Sequence, residues 1–285
     1  MNFAEYLQQK KLAASTVITY SKSIQHFLSW LSDEELQAES FTYTDLLEFM
    51  RYCHHKGITK RTVHNTLGIV RHYCNYLISD GKRNDNPAAG VFIKGLVRKL
   101  PTNLLTMEEM EELFKQYSIQ LNVDASKKIM FGLMVYQGLN VGEIMRLQSH
   151  HIKMKDGKIF IKATKRSNER LLNLHAIQMN ELQNYLQKNK FKEGSLFIEQ
   201  VKKEVSERNI NNRIKYMFDQ LKKLNTKVIN AKQIRSSVIT FWLRQNNLRQ
   251  VQYMAGHKYV SSTERYQCNN LDDLQNELKE HHPRK

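Results

Sequence analysis

Four side chains near the C-terminal end could together move a phosphoryl group: Lys232, Arg235, His257 and Tyr266, within the stretch NAKQIRSSVITFWLRQNNLRQVQYMAGHKYVSSTERY. A guanidinium offers phosphate oxygens a planar fork of donors, and an ammonium three positions away adds a second positive charge. Imidazole gives or takes a proton near neutral pH. A phenolate oxygen can attack phosphorus. Phosphodiester transfer is the chemistry that uses all of these roles. Each residue alone is commonplace, since any one of the 13 tyrosines is ordinarily a packed or interfacial ring. The order and spacing carry the reading.

The elements that must position them are short and helical. Ile234, Val238, Phe241 and Trp242 recur at helical spacing, which puts Lys232 and Arg235 on one face near a helix start. A second helix, Leu248 to Ala255, should stop at Gly256 in a left-handed cap and deliver His257 into the turn beyond. Ser261 to Glu264 reads as a Ser-x-x-Glu capping box opening a third helix, with Tyr266 in its first turn. Lys-x-x-Arg, then Gly-His, then Tyr nine residues on, resembles the tyrosine recombinase (phage integrase) family, whose pattern there is His-x-x-Arg, Leu-Gly-His, Tyr. Lys232 stands where the family has His. It keeps a donor and a charge but loses a group that titrates near pH 7.

Upstream, Thr106 to Glu109 forms another capping box, starting a helix through Tyr117. An apolar-rich helix from Ser126 leads to Gly138-Leu139-Asn140-Val141-Gly142-Glu143, which resembles the family's Gly-Leu-Arg-x-x-Glu motif. Asn140 takes the place of the first catalytic Arg, and an amide donates hydrogen bonds without charge or fork. Losing one such donor costs roughly 10²- to 10³-fold in rate. Arg146 reads as a poor substitute, because six residues along a helix turn it about 120° away. The resemblance makes Glu143 an organiser of the site. Asp156-Gly157 marks a hairpin turn, followed by strands at Lys158 to Lys162 and Arg170 to Leu174. Between them Thr164 to Arg170 is similar to the family's Gly-Lys-x-x-Lys-Glu-Arg loop. A lysine in a hairpin tip is by itself a solvated charge; the resemblance makes Lys165 the general acid for a leaving 5′ oxygen.

With 285 residues, 44 Lys plus Arg against 28 Asp plus Glu, a net charge of +16 and a pI near 9.6, the chain should form two domains and bind a polyanion. No stretch of 18 apolar residues and no signal-peptide core is present, so no membrane association and a cytoplasmic location are expected. Three scattered cysteines make neither a disulfide framework nor a zinc site. Gly90 and Gly95 have the outer spacing of a P-loop, but Leu96 and Val97 replace its Lys and Ser/Thr, which argues against ATP. No metal or other cofactor is implied.

The expected fold is mainly α with a small antiparallel sheet, divided into residues 1–87, a basic linker at 88–102 and residues 103–285. Four helices are expected first, at Phe3 to Lys10, Ser15 to Leu31, Thr44 to His55 and Thr59 to Ile78. In the last, Val63, Leu67, Val70, Cys74 and Leu77 form a packing stripe, with Arg61, His64 and Arg71 on a flank. Those cations either solvate a surface helix or meet phosphates. STVITYSKSIQHFLSWL and KRTVHNTLGIVRHYCNYL resemble the family's SAM-like DNA-clamping domain, which favours DNA. Helices from Met179 to Lys190 and Glu207 to Lys223 complete the second domain, and Leu271, Leu274 and Leu278 form a stripe beyond Tyr266.

The resemblance implies a site-specific recombinase or integrase acting on double-stranded DNA as a homo-oligomer, a tetramer on its DNA. Tyr266 would form a 3′-phosphotyrosyl link and free a 5′-hydroxyl, with no metal or ATP. Arg235, Asn140 and Lys232 would hold the non-bridging oxygens and His257 would assist the phenol. A catalytically impaired DNA-binding relative and a type-IB-like topoisomerase are the competing readings.

Overall fold

The structure is a computed structural model and describes residues 1–96, 103–120, 123–189, 194–197 and 207–267. It divides into two compact units, Met1–Arg98 and Lys99–Lys285. Among the described residues no helix is long and apolar enough to cross a membrane. Cys53 and Cys74 are buried free thiols, whereas Cys268, Leu271, Leu274 and Leu278 lie outside the described residues.

The first unit has four helices: α1 (Phe3–Gln9), α2 (Ala14–Asp33), α3 (Tyr43–His55) and α4 (Lys60–Ser79). Asn2, Thr42 and Thr59 cap three of them with side-chain oxygens. Gly57 and Gly81 follow α3 and α4 at φ +70°, the left-handed conformation that ends a helix without a Cβ penalty. Of the expected stripe of α4, Val63, Leu67, Val70 and Cys74 are buried in one core with the Phe27, Trp30, Phe41 and Phe49 rings, and Leu77 is buried in a second cluster with Tyr6, Leu7, Val17 and Tyr76. Each such side chain contributes about 2 kcal/mol by leaving water.

Two expectations change here. The linker does not begin at Ala88, because Ala88 and Val91 are themselves buried in the same core. Asn86 turns the chain by donating to the Arg71 carbonyl while accepting from the Ala88 amide. Arg71 completes the clasp: its Nε and Nη2 donate to the Ala88 and Val91 carbonyls at 3.1 and 2.9 Å, and its guanidinium lies over Phe92. Arg71 is thus a pin for its own chain, whereas Arg61 stays exposed and His64 half-buried on the helix surface.

The second unit begins with α5 (Met107–Ser118), opened by the expected capping box of Thr106 and Glu109. α6 (Ala125–Tyr136) is buried along most of its length and ends at Gly138, which turns the chain at φ +59°. A Cβ on Gly138 would lie 3.0 Å from the Trp242 ring, so the missing side chain also lets the chain pass close under the later helices. α7 (Val141–Met145) is one short turn. Strands β1 (Ile152–Lys153), β2 (Lys158–Ile161) and β3 (Arg170–Asn173) form an antiparallel sheet in that order, with Gly157 at φ +59° in the first hairpin. β1 is an addition to the two strands expected, too short at two residues to show alternation.

Ile159 pairs with Leu172 and Ile161 with Arg170. That register turns Ile159, Ile161 and Leu172 into the core, and it carries Arg170 inward with them. Helices α8 (Ala176–Asn189), α9 (Glu207–Leu224), α10 (Ala231–Gln245) and α11 (Leu248–Ala255) complete the unit, followed by a helical segment at 261–267.

Candidate active site

Glu143 is the centre of the cluster. It is the third residue of α7, and Asn140 caps that helix in a reciprocal capping box: Asn140 Oδ1 accepts from the Glu143 amide, and Glu143 Oε2 accepts from the Asn140 amide at 3.0 Å. The same Oε2 meets Arg235 Nη1 at 3.2 Å, and Oε1 meets Arg170 Nη1 at 2.8 Å. The Glu143 and Arg170 side chains are buried and that of Arg235 nearly so. Arg235 also donates to the carbonyls of Gly138 at 2.5 Å and Ala255 at 2.6 Å, which ties α10 to the ends of α6 and α11.

Two guanidiniums against one carboxylate leave this buried cluster with an excess of positive charge. Burial raises Glu143, but Arg235 and Arg170 outweigh it and hold the carboxyl below its ordinary range. Arg170 Nε and Nη2 are buried with no partner among the described residues. Unpaired buried donors of a charged group are costly, so the cluster is short of negative charge.

His257 stands beside it. α11 ends at Gly256 with φ +65°, and the His257 amide donates back to the Gln252 carbonyl, as expected from the sequence. A Cβ on Gly256 would collide with Arg170 Nη1, which Glu143 holds in place, so glycine is required there by space as well as by φ. The β2–β3 hairpin tip pins the turn from the other side, with the Asn168 amide donating to the Gly256 carbonyl at 3.0 Å and Ser167 bridged to His257. His257 Nδ1 lies 2.9 Å from the hydroxyl of the fully buried Thr263. Burial first, then Arg235 and Arg170, lower the imidazole to about 4. It is neutral at neutral pH, chiefly because it is buried, with the positive cluster adding to the effect.

Stability should follow from that value. An unfolded-chain imidazole takes its proton near 6.5 and the folded one only near 4, so acidification through this window favours the unfolded chain. Stability present above pH 6.5 is lost as the pH falls toward 4, by at most ~3 kcal/mol for this one group. Urea unfolding from pH 7 to 4 should therefore lose stability more steeply in the native protein than in His257→Gln. Equal slopes would contradict the buried, field-depressed imidazole.

Tyr266 reaches the same place. Its ring stacks on His257 with centroids 5.9 Å apart and planes 14° from parallel, and its anion would stabilise the charge of Arg235. The helix that carries it opens at 261, so its cap falls at Val260, one residue before the expected Ser261, because the Thr263 and Glu264 amides donate to the Val260 carbonyl. Ser261 is thus already helical, and Tyr266 falls in the second turn rather than the first.

Lys165 is exposed in the turn closed by Thr164 and Ser167, two residues from the Ser167–His257 bridge. Lys232 is exposed in the first turn of α10, one turn before Arg235. The structure thus gathers Arg235, His257, Tyr266 and Asn140 around Glu143, anchors the loop of Lys165 to the His257 turn, and leaves Lys232 at the rim. Arg61 and His64 belong to the other unit.

Arg146 departs from its expected direction. α7 stops at Met145, so Arg146 is the C-cap and its long side chain folds back: a Cβ on Gly142 would lie 3.2 Å from Arg146 Nη1 and 3.4 Å from Asn140 Oδ1. Arg170 and Thr263 were not expected in the site at all. Arg170 had a signal, since period-two alternation puts it on the face of Leu172; Thr263 had none.

A mainly helical unit with a small antiparallel sheet and this basic, phenol-bearing cluster is the architecture of a tyrosine recombinase. Residues 103–272 match the phage integrase family, and residues 1–81 match the phage integrase N-terminal SAM-like domain, so the chain belongs to the phage integrase family. Relatives include tyrosine recombinase XerC of Bacillus pumilus, 23% identical over 99% of this chain and 95% of that protein. XerC of Psychromonas ingrahamii is 26% identical over 97% and 93%. Among solved structures, the Tn1549 transposon integrase in complex with transposon right end DNA superposes with a TM-score of 0.68 at 15% identity, covering 99% of both chains. A lambda integrase tetramer bound to a Holliday junction superposes at 0.69 and 16% identity, covering 93% of this chain and 74% of that one. At such identities the structural likeness establishes the fold.

Proposed function

We propose that the protein is a site-specific DNA recombinase that cuts and rejoins double-stranded DNA through a 3′-phosphotyrosyl intermediate. The observation that carries this is the buried, positively charged cluster around Glu143, opening beside a stacked imidazole and phenol. A phosphodiester supplies the negative charge the cluster lacks. Tyr266 Oη attacks phosphorus in line; the new P–Oη bond forms as the P–O5′ bond breaks. His257, neutral in the free protein and with Nδ1 committed to Thr263, takes or relays the phenol proton. The Lys165 ammonium gives its proton to the leaving 5′ oxygen. Arg235 and Lys232 hold the non-bridging oxygens, and the resulting 5′-hydroxyl of one site attacks the phosphotyrosine of another.

Asn140 takes the place of a catalytic arginine in this reading. Its Oδ1 is spent on the α7 cap, which leaves only an uncharged N–H₂ for phosphate and weakens the clamp. The same residue favours a second reading, a DNA-binding relative with little or no strand transfer. In either case residues 1–87 clamp the duplex, with Arg61 and His64 of α4 toward phosphates, residues 103–285 carry the site, and the linker runs after the buried Val91. The protein acts as a homo-oligomer on DNA, a tetramer like the lambda integrase neighbour, and in the cytoplasm.

Duplexes nicked near the scissile position, so that the 5′ product diffuses away, test this. The recombinase reading expects a covalent protein–DNA adduct with intact-site partners recombined. Binding without any adduct would leave only the accessory reading, and relaxation of supercoils without exchange between two sites would indicate a topoisomerase.

A further inference from the structure

Asn140 stands where the family motif has an arginine, and the unassigned guanidinium of Arg146 lies beside it across Gly142. We propose that Arg146 supplies the missing phosphate-facing cation, reaching across Gly142 to the side of Asn140; this rests on the recombinase reading above.

Three features of the structure place it there. α7 is only five residues long, so Arg146 is its cap residue rather than a member of a continuing helix, and its side chain is free to fold back along the helix toward Asn140. Gly142 makes the slot. Arg146 Nη1 and Asn140 Oδ1 lie 3.2 and 3.4 Å from the point where a Cβ would stand, so a side chain at 142 would push the guanidinium aside by a few tenths of an ångström. The position also borders the cluster directly, because the Asn140 amide and Arg235 Nη1 share the same oxygen of Glu143.

Charge accounts for its availability. Glu143 is the carboxylate of this site, and its two oxygens are already divided among Arg170, Arg235 and the Asn140 amide. Arg146 forms no ion pair or hydrogen bond through its side chain among the described residues, and the residue is exposed. A guanidinium that is unpaired, solvent-facing and next to a region of positive potential is held against repulsion, and an anion bridging Arg146 and Arg235 removes that repulsion. Asn140 contributes the short, uncharged side chain that leaves room for it. An arginine at 140 and the folded-back Arg146 would compete for the same phosphate face.

Single-turnover cleavage of the nicked duplex at saturating protein tests the assignment. Arg146→Gln should cleave about 10²-fold more slowly while its DNA affinity and Tm stay near the native values, and Arg146→Lys should recover only part of the rate because an ammonium lacks the fork. With an uncharged methylphosphonate at the scissile position, the penalty of Arg146→Gln should shrink to about threefold or less in at least one diastereomer, since there is less charge to neutralise. Asn140→Arg should restore cleavage in the Arg146→Gln background, because it puts a guanidinium back on the same phosphate face. Native-rate cleavage by Arg146→Gln overturns the proposal, as does a loss confined to DNA affinity or one undiminished on both methylphosphonates. In those cases the native adduct still forms and the recombinase reading stands; absence of any adduct from the native protein overturns that reading and this assignment with it.

Discussion

Tyr266→Phe should bind its DNA as well as the native protein and form no covalent adduct with it, with single-turnover cleavage reduced by at least about 10⁴-fold. The substitution removes one oxygen. The ring stays, so the stack on His257 and the packing of the ring against the core of the second unit are kept, and Tm should hardly move. Two other phenols lie near in sequence. Tyr253 donates its hydroxyl to the Leu171 carbonyl and accepts from the Leu171 amide, and the exposed Tyr259 is directed to the surface. Residual cleavage at more than a trace would mean that another nucleophile, or water, serves the site. A fall in Tm would mean instead that the hydroxyl is structural.

Glu143→Ala should be among the most destabilising single substitutions in the second unit. The carboxylate neutralises Arg170 and Arg235 in a buried setting and caps α7 through the Asn140 amide. Removing it leaves two guanidiniums without compensation, at a cost of roughly 3–5 kcal/mol, with about 1 kcal/mol more for the lost cap. For a unit of this size that corresponds to a fall in Tm on the order of 10 °C, with activity lost alongside. Glu143→Gln keeps the shape and one acceptor and should fall between. Acid should imitate the substitution: the carboxyl is held below its ordinary pKa, so its contribution is present above that value and lost as the pH drops through the folded one. A Glu143→Ala protein with native Tm would show that the two arginines are solvated rather than buried against this group.

Much of the site was legible because its pieces are local. The Ile234–Trp242 periodicity, the Gly256 cap and the Asp156-Gly157 turn are each set within a few residues, and the structure shows all three. Asn140-x-x-Glu143 is itself a capping-box pattern of the same kind as Thr106-x-x-Glu109. Recognising it would have predicted that the Asn140 oxygen is used by its own helix. What the sequence withheld was tertiary or depended on where an element stops. Arg146 was placed by continuing a helix past Met145, but α7 ends there and the side chain folds back. Arg71 lies on the flank of α4 as expected, yet the chain after Pro87 returns to take two of its donors, Nε and Nη2. Arg170 is a charge in an inward strand register, and its only sequence sign is that it shares parity with Leu172. Thr263 reaches His257 through a turn whose path no local pattern specifies.

One measurement bears most directly on the central claim, that the phenol of Tyr266 works in the pocket shared by Arg235, His257 and Glu143. Native protein trapped on the nicked duplex would be digested with protease and nuclease, and the nucleotide-bearing peptide sequenced by mass spectrometry. The account predicts a 3′-linked phosphodiester on Tyr266 alone, in the peptide that follows Arg265. Attachment to Tyr259, to Tyr253 or to a serine, or a 5′ linkage, would contradict it.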